Sequence, residues 1–438
     1  MRTKDNSGDS LLREAFGGTL YQQGRGYYVA LEFFAIARGI VELGERLFPD
    51  DGRAPVVYRR RSHDFARRLL ADDLPEEEKE HLRKDAEPTL RGLLEGLTVA
   101  IPGRRSEGSW QNRHFYPYVG DLIHYDAVVR NKKPVSVERY TYRGGGALAY
   151  RLLWDDPDQA RRQAIRSGIE RLVADSANPL GRLAKALSRL DRVPGPADED
   201  GKDPGRFLDE PASLTRTLES PWVEVLREGV RSIVSPREGV PSTRQIDALM
   251  HWLPFCIALH QLALARIGLR LDPREPLVLD FGHHSSQVRL LSREHADRAA
   301  ATVFEAVQAL ARSSGDGRGA LKVARETRTF FTTTLGTVGA MNAMTGIRHL
   351  TMSPRLLDAV VLATVPVEMS FDDFIHEILH SRLRLIVSGR CASEAGLLVR
   401  ADRAGFDENS RALTQDLVDL GLSMEYSDAT RTVGVGPR

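Results

Sequence analysis

The chain has 438 residues, a formal net charge of +1, and 28% charged against 42% hydrophobic residues. This balance excludes a disordered chain and excludes a global field drawing the whole molecule to nucleic acid or acidic lipid; any such surface is local. The length leaves room for two or three domains with substantial cores. Two isolated cysteines, Cys256 and Cys391, build neither a disulfide framework nor a C-x-x-C pair, which fits a reducing cytoplasm.

The opening decapeptide is polar and has no apolar h-region, so no secretory signal is expected, and residues 1–18 read as a polar arm. After the breaker Gly24-Arg25-Gly26, residues 27–47 read as a long amphipathic helix with Ala30, Phe33, Phe34, Ile36, Ala37, Ile40 and Leu43 inward. Next, Arg59, Arg60, Arg61, Arg67 and Arg68 adjoin Glu76, Glu77, Glu78 and Glu80, the pattern of solvated helix faces, with a nucleic-acid role for the arginines as the alternative. Residues 106–143 interleave Trp110, Phe115, Tyr116, Tyr118, Tyr125, Tyr140 and Tyr142 with Arg113, Arg130, Lys132, Lys133 and Arg139. Such a mixture can stack on and neutralise a single strand, but a small strand-rich insertion with its own aromatic core is the preferred reading, with strands at 122–129 and 135–140.

Helices are expected from Ala147 to about residue 190. Residues 191–213 then carry four prolines, three glycines and seven acidic residues with little to bury, which marks an acidic linker and a domain boundary. Residues 243–269 read as a helical pair interrupted at Pro254; the apolar part is broken by His260, Gln261 and Arg266, against a membrane span. Residues 276–282 form a short buried strand that runs into polar residues ahead of a helix, a frequent ligand position in α/β proteins. There Asp280 with His283 or His284 is a catalytic candidate, outweighed by a structured loop. Ser292 caps a helix to about Arg312, and the GDGRGALK segment lacks Walker A spacing. Small and β-branched residues fill 329–344, with Arg325 and Arg328 at the start as a possible surface for a partner or phosphate.

The C-terminal block, 353–438, has the clearest punctuation. Ser353-Pro354 caps a helix that Pro366 stops, Ser370-x-x-Asp373 caps a second, and a third runs from about 409 to 420 before Gly421. The segments 422–426 and 430–435 read as two strands joined by Ser427-Asp428-Ala429. Three helices and a hairpin make the winged form of the helix-turn-helix, in which Arg382, Arg384, Arg411, Gln415 and Arg431 are the candidate DNA contacts. The middle helix, expected over 370–388, also spells H-E-x-x-H. As a zinc-peptidase motif it would use His376, His380 and Glu394 as Zn²⁺ ligands and Glu377 as base. An α-helical wheel argues against this: Phe371, Phe374, Ile375, Ile378, Leu379, Leu383 and Ile386 form the apolar stripe and leave His376, Glu377 and His380 on the polar side.

Residues 277–282, the 329–344 tract and 353–389, with its S-F-D-D-F-I helix and R-L-I-V strand, resemble accessory proteins of bacterial antiphage islands. Those are the methylation-associated defence and phosphorothioation-dependent restriction systems, encoded beside HerA/FtsK-like ATPases. The resemblance covers about a third of the chain and carries no catalytic signature. It implies a place in a DNA-directed complex, with an ATPase of that kind as partner.

The expected fold is mainly α with small β elements (α+β). It divides into a helical domain over 1–190 with the strand-rich insertion at about 106–143, the linker 191–213, a helical to α/β middle region over 214–352, and the winged-helix-like module over 353–438. The expected function is that of a non-catalytic, cytoplasmic subunit of a DNA-directed antiviral complex that docks other proteins, binds DNA weakly and needs no cofactor or membrane. The alternatives are the zinc peptidase and a winged-helix transcriptional regulator.

Overall fold

The computed structural model describes residues 7–20, 26–42, 44–50, 57–59, 86–99, 115–118, 127–128, 136–137, 145–174, 206–208, 217–282, 286–314, 319–343, 347–426 and 431–435, with Leu69, Glu76 and Glu80 singly. The described chain is mainly helical with a few small strands. In order it forms α1 (Ser7–Phe16), α2 (Gly26–Glu42), β1 (Val57–Arg59), α3 (Ala86–Leu97), β2 (Ala127–Val128), β3 (Ser136–Val137), α4 (Gly145–Trp154), α5 (Gln159–Val173), β4 (Arg206–Leu208), α6 (Pro221–Val234) and α7 (Ser242–Gly268). Then follow β5 (Leu277–Val278), α8 (Ser286–Ser313), α9 (Ala320–Val338), α10 (Pro354–Thr364) and β6 (Glu368–Ser370). The last elements are α11 (an α turn, Phe371–Asp373, continued as the π-helix Phe374–Arg382), β7 (Leu385–Ile386), α12 (Gly389–Glu394), α13 (Arg403–Asp419), β8 (Ser423–Glu425) and β9 (Arg431–Gly434).

The body is organised around α7, and α2, α6, α8, α9 and α10 all pack on it. By length and apolar composition α7 could cross a membrane, yet its whole apolar window lies inside the protein. Pro254 does not split it: the helix continues from 242 to 268, in place of the expected pair. A proline removes one backbone donor, and packing on every side of a long buried helix outweighs that loss. Arginines satisfy helix ends that would otherwise be buried without partners. Arg227 donates to the carbonyls of Leu152 and Asp155 at the end of α4, and Arg237 to those of Leu362 and Val365 at the end of α10.

Several expectations change. Residues 7–16 are helical rather than a loose arm, with Leu11, Leu12 and Phe16 buried. Helix α8 begins at Ser286, so Ser292 lies inside it and spends its hydroxyl on the backbone of Leu350. The strands of the aromatic stretch exist as the short antiparallel pair β2–β3. Most of that stretch, of the arginine–glutamate block and of the 191–213 linker lies outside the described residues; within the linker, β4 pairs antiparallel with β1.

In the C-terminal block α10 is buried against α6 and α7, and β7 pairs in parallel with β5 (Leu277 with Leu385, Val278 with Ile386). The middle helix ends at Arg382 rather than 388, and a further short helix, α12, opens at Gly389. Strands β6, β9 and β8 form a three-stranded antiparallel sheet with β9 in the centre. Gly421, at a φ of 66°, ends α13, and the Leu422 N–H donates to the Leu417 carbonyl at 2.8 Å. This left-handed glycine turn leads the chain into β8.

Candidate docking and nucleic-acid interface

The candidate DNA contacts do not share one surface. Arg382 reaches back to Glu228 of α6 at 3.2 Å, and Arg384 donates to the Arg274 carbonyl at 2.8 Å from a left-handed backbone (φ 54°). Both hold the turn after α11 against the body instead of facing outward. Arg411 and Gln415 are exposed on α13, where Gln415 donates to Asp419 at 2.7 Å, and Arg431 is exposed at the start of β9. Thr414, between Arg411 and Gln415 on α13, is buried and donates to the Ser410 carbonyl. The exposed face of α13 also carries Glu408 and Asp419, and burial followed by the Asp419 charge pushes the Asp416 carboxyl above its usual value.

Helix α13 is fixed by a residue that the sequence did not advertise. Asn409 accepts from the Phe281 N–H at 2.6 Å and donates to the carbonyls of Leu279 and Val387 at 2.9 and 3.1 Å. One amide thus closes the ends of β5 and β7. Beside it, Asp280 is buried and pairs with Arg289 at 2.8 Å and His349 at 3.7 Å. Its expected companions His283 and His284 lie outside the described residues.

The H-E-x-x-H residues sit on a π-helix, which closes its hydrogen bonds five residues back. Each residue therefore turns roughly 80° rather than 100°, and an α-helical wheel misplaces side chains. His380 is buried, His376 half-buried and Glu377 exposed, so the expectation of one shared polar face fails for His380. His380 Nδ1 lies 3.4 Å from Glu394 Oε2, and burial lowers the imidazole's pKa. His376 Nδ1 lies 3.3 Å from Cys391 Sγ, whose thiol accepts from Ser388 at 3.1 Å and is pushed up by burial. The geometry makes two separate pairs. Among the described residues no three His, Cys, Asp or Glu side chains are grouped to hold a metal ion.

A second polar cluster, missed in the sequence because its members lie far apart along the chain, ties residues 115–118 to α2, α7 and α10. Tyr27 O–H donates to His251 Nε2 at 3.2 Å, since His251 Nδ1 donates to the Asp247 carbonyl at 2.9 Å. Arg355 donates to Tyr116 O and lies 3.7 Å from Asp247 Oδ1; Tyr116 stacks on Tyr118 with ring centres 5.3 Å apart. Burial raises the Tyr27 phenol to about 12, lowers His251 and raises Asp247. Burial is the chief cause of each shift, and the bonds join segments far apart along the chain, so the cluster acts as a knot between them.

The small sheet shows different chemistry. Its inner face carries Val433 and Ser423, both buried, and Met369, packed on the core. Its outer face carries Glu368, Ser370, Thr432 and Met424, and the Tyr426 O–H crosses β9 to donate to Glu368 at 2.9 Å. Hydrogen bonds from Thr432 and Tyr426 hold the Glu368 carboxyl below its usual pKa. On the same face Met424 and Tyr426 are 50% and 47% exposed, and Val367, just before β6, is 77% exposed. No protein-family model, no curated protein and no solved structure matches this chain.

Proposed function

We propose that residues 353–438 form a winged-helix element, and that the chain is a non-catalytic subunit of a DNA-directed antiviral complex. In this role it docks other proteins and touches DNA weakly. The observation that supports the winged-helix part is the strand order β6-β9-β8. A strand after the first helix, a later helix running into a hairpin and the last strand in the centre are features of that fold. The chain departs from the simple pattern because β7 and α12 stand between α11 and α13. The antiviral setting and a HerA/FtsK-like ATPase as partner rest on the resemblance of 277–282, 329–344 and 353–389.

Docking is favoured over DNA reading because the cations are dispersed. Arg382 and Arg384 are engaged by the body, Arg411 and Arg431 are exposed on two different elements, α13 and β9, and α13 also exposes Glu408 and Asp419. Two such cations predict that duplex binding falls with salt at a slope of about two phosphates and is weak at physiological salt. The test is a salt titration of duplex binding by the full chain, since α10 is buried between α6 and α7 and a fragment starting at residue 353 loses that cover. Arg411→Ala and Arg431→Ala should each reduce the slope by about one. Tight, sequence-selective binding destroyed by either substitution would make the chain a transcriptional regulator instead.

A further inference from the structure

We propose that the outer face of the β6-β9-β8 sheet is the docking site for a partner protein segment that presents a lysine or arginine flanked by apolar side chains. The proposal rests on the docking reading above and names the place and the chemistry. Four observations converge on it. Met424 and Tyr426 are large side chains left about half exposed on this face and Val367, just before β6, is 77% exposed, whereas the opposite face of the same sheet is closed by Val433 and Ser423. Glu368 lies on the same outer face as Met424 and Tyr426 and accepts from the Tyr426 hydroxyl.

That carboxylate is built for a cation. Tyr426 and Thr432 hydroxyls hold it in one orientation and favour its ionised form. The Tyr426 ring beside it offers a face on which an ammonium or guanidinium can rest. Asp372 and Asp373, both exposed, follow one turn beyond Ser370 and add negative charge on the β6 side. An acidic centre within apolar surroundings repels phosphate and disfavours a purely apolar partner, which would bury Glu368 without a counter-charge. A cationic side chain between apolar neighbours satisfies both parts.

The experiment uses the full chain and two labelled synthetic peptides, one of leucine, threonine and lysine, and a twin with glutamine at each lysine. The lysine peptide should bind and weaken as salt rises, and the twin should bind much less. Glu368→Gln, which keeps shape and leaves the melting temperature unchanged, should weaken the lysine peptide about tenfold. Tyr426→Leu should weaken it about threefold through loss of the ring and of the hydroxyl that orients Glu368. Arg411→Ala should leave it unchanged. Equal binding of the two peptides, or indifference to Glu368→Gln, overturns the proposal while the DNA titration decides the winged-helix reading separately. Duplex DNA competing for this face, or a dimer of the chain dissolved by Met424→Asp, overturns it in favour of those occupants.

Discussion

Helix α7 and the β6-β9-β8 sheet treat buried chemistry in opposite ways. The helix is enclosed over residues 248–266, and Gln245, His251, His260 and Arg266 among its polar side chains are turned to neighbouring backbone and hydroxyl groups. The sheet is covered on one face only and leaves an ionised carboxylate among exposed apolar side chains on the other. Perturbed pKa values alone would direct attention to the interior. There the cause is burial and the partners are all within the chain. The sheet has modest shifts and open surface, which is where a partner can act. Enclosure, more than perturbation, separates structural chemistry from available chemistry in this molecule.

The sharpest way to break the enclosed part is at the crossing of α2 and α4. A Cβ on Gly146 would meet the Phe33 nitrogen and the Val29 oxygen at 2.5 Å, and the Glu32 Cβ at 2.6 Å. Its own N–H donates to the buried Glu32 carboxylate at 2.6 Å. Alanine is the better helix former by about 1 kcal/mol, but here it collides with backbone that cannot move aside as a side-chain tip can. Gly146→Ala should therefore destabilise the chain by about 3 kcal/mol net, read by urea denaturation. A neutral result would show that the two helices are free to separate.

Acid should loosen the same interior. His260 is completely buried, its Nδ1 2.7 Å from Ser220 Oγ, and burial lowers its pKa to about 4. In the unfolded chain a histidine titrates near 6.5, so between these values the unfolded state binds more protons and stability rises with pH. The contribution is complete above about 6.5 and is lost as pH falls toward about 4, an effect of about 3 kcal/mol. His251, His295, His349 and His380 are shifted in the same direction and add to it. Denaturation midpoints compared at neutral pH and near the lower value should show the loss, and His260→Gln should flatten it. An acid limb unchanged by that substitution would mean that the other histidines carry it.

How much of this was legible follows from the range of the signals. Caps are local: Ser353 accepts from the Leu356 N–H, Ser370 from the Asp373 N–H, and Gly421 turns out of α13, so those three helix ends were readable, whereas the end of α11, the short α12 and the start of α13 at Arg403 were not. The three residues of β6 directly after Pro366-Val367 were too few to show alternation, and the central partner of that strand lies more than sixty residues on. Parallel pairing of β5 with β7, and the Asn409 amide that closes it, depend on segments over a hundred residues apart. The histidine positions failed for another reason. A wheel assumes a pitch, and the π-helix has a different one.

The smallest effect is expected where the sequence was most suggestive. For catalysis, a zinc peptidase requires three protein ligands around one ion and a glutamate directed at the bound water. Here His376 is engaged with Cys391 and His380 with Glu394, as two pairs, and Glu377 is exposed. Converting them into one coordination sphere requires breaking both pairs within a packed π-helix. The expected outcome is purified protein with well under one equivalent of zinc, and Glu377→Gln within about 0.5 kcal/mol of the parent in stability. Elemental analysis with His376→Ala and His380→Ala beside it settles the matter. Stoichiometric zinc that either alanine removes would mean the two pairs do rearrange around an ion, and the peptidase would then replace the docking subunit as the better account of this chain.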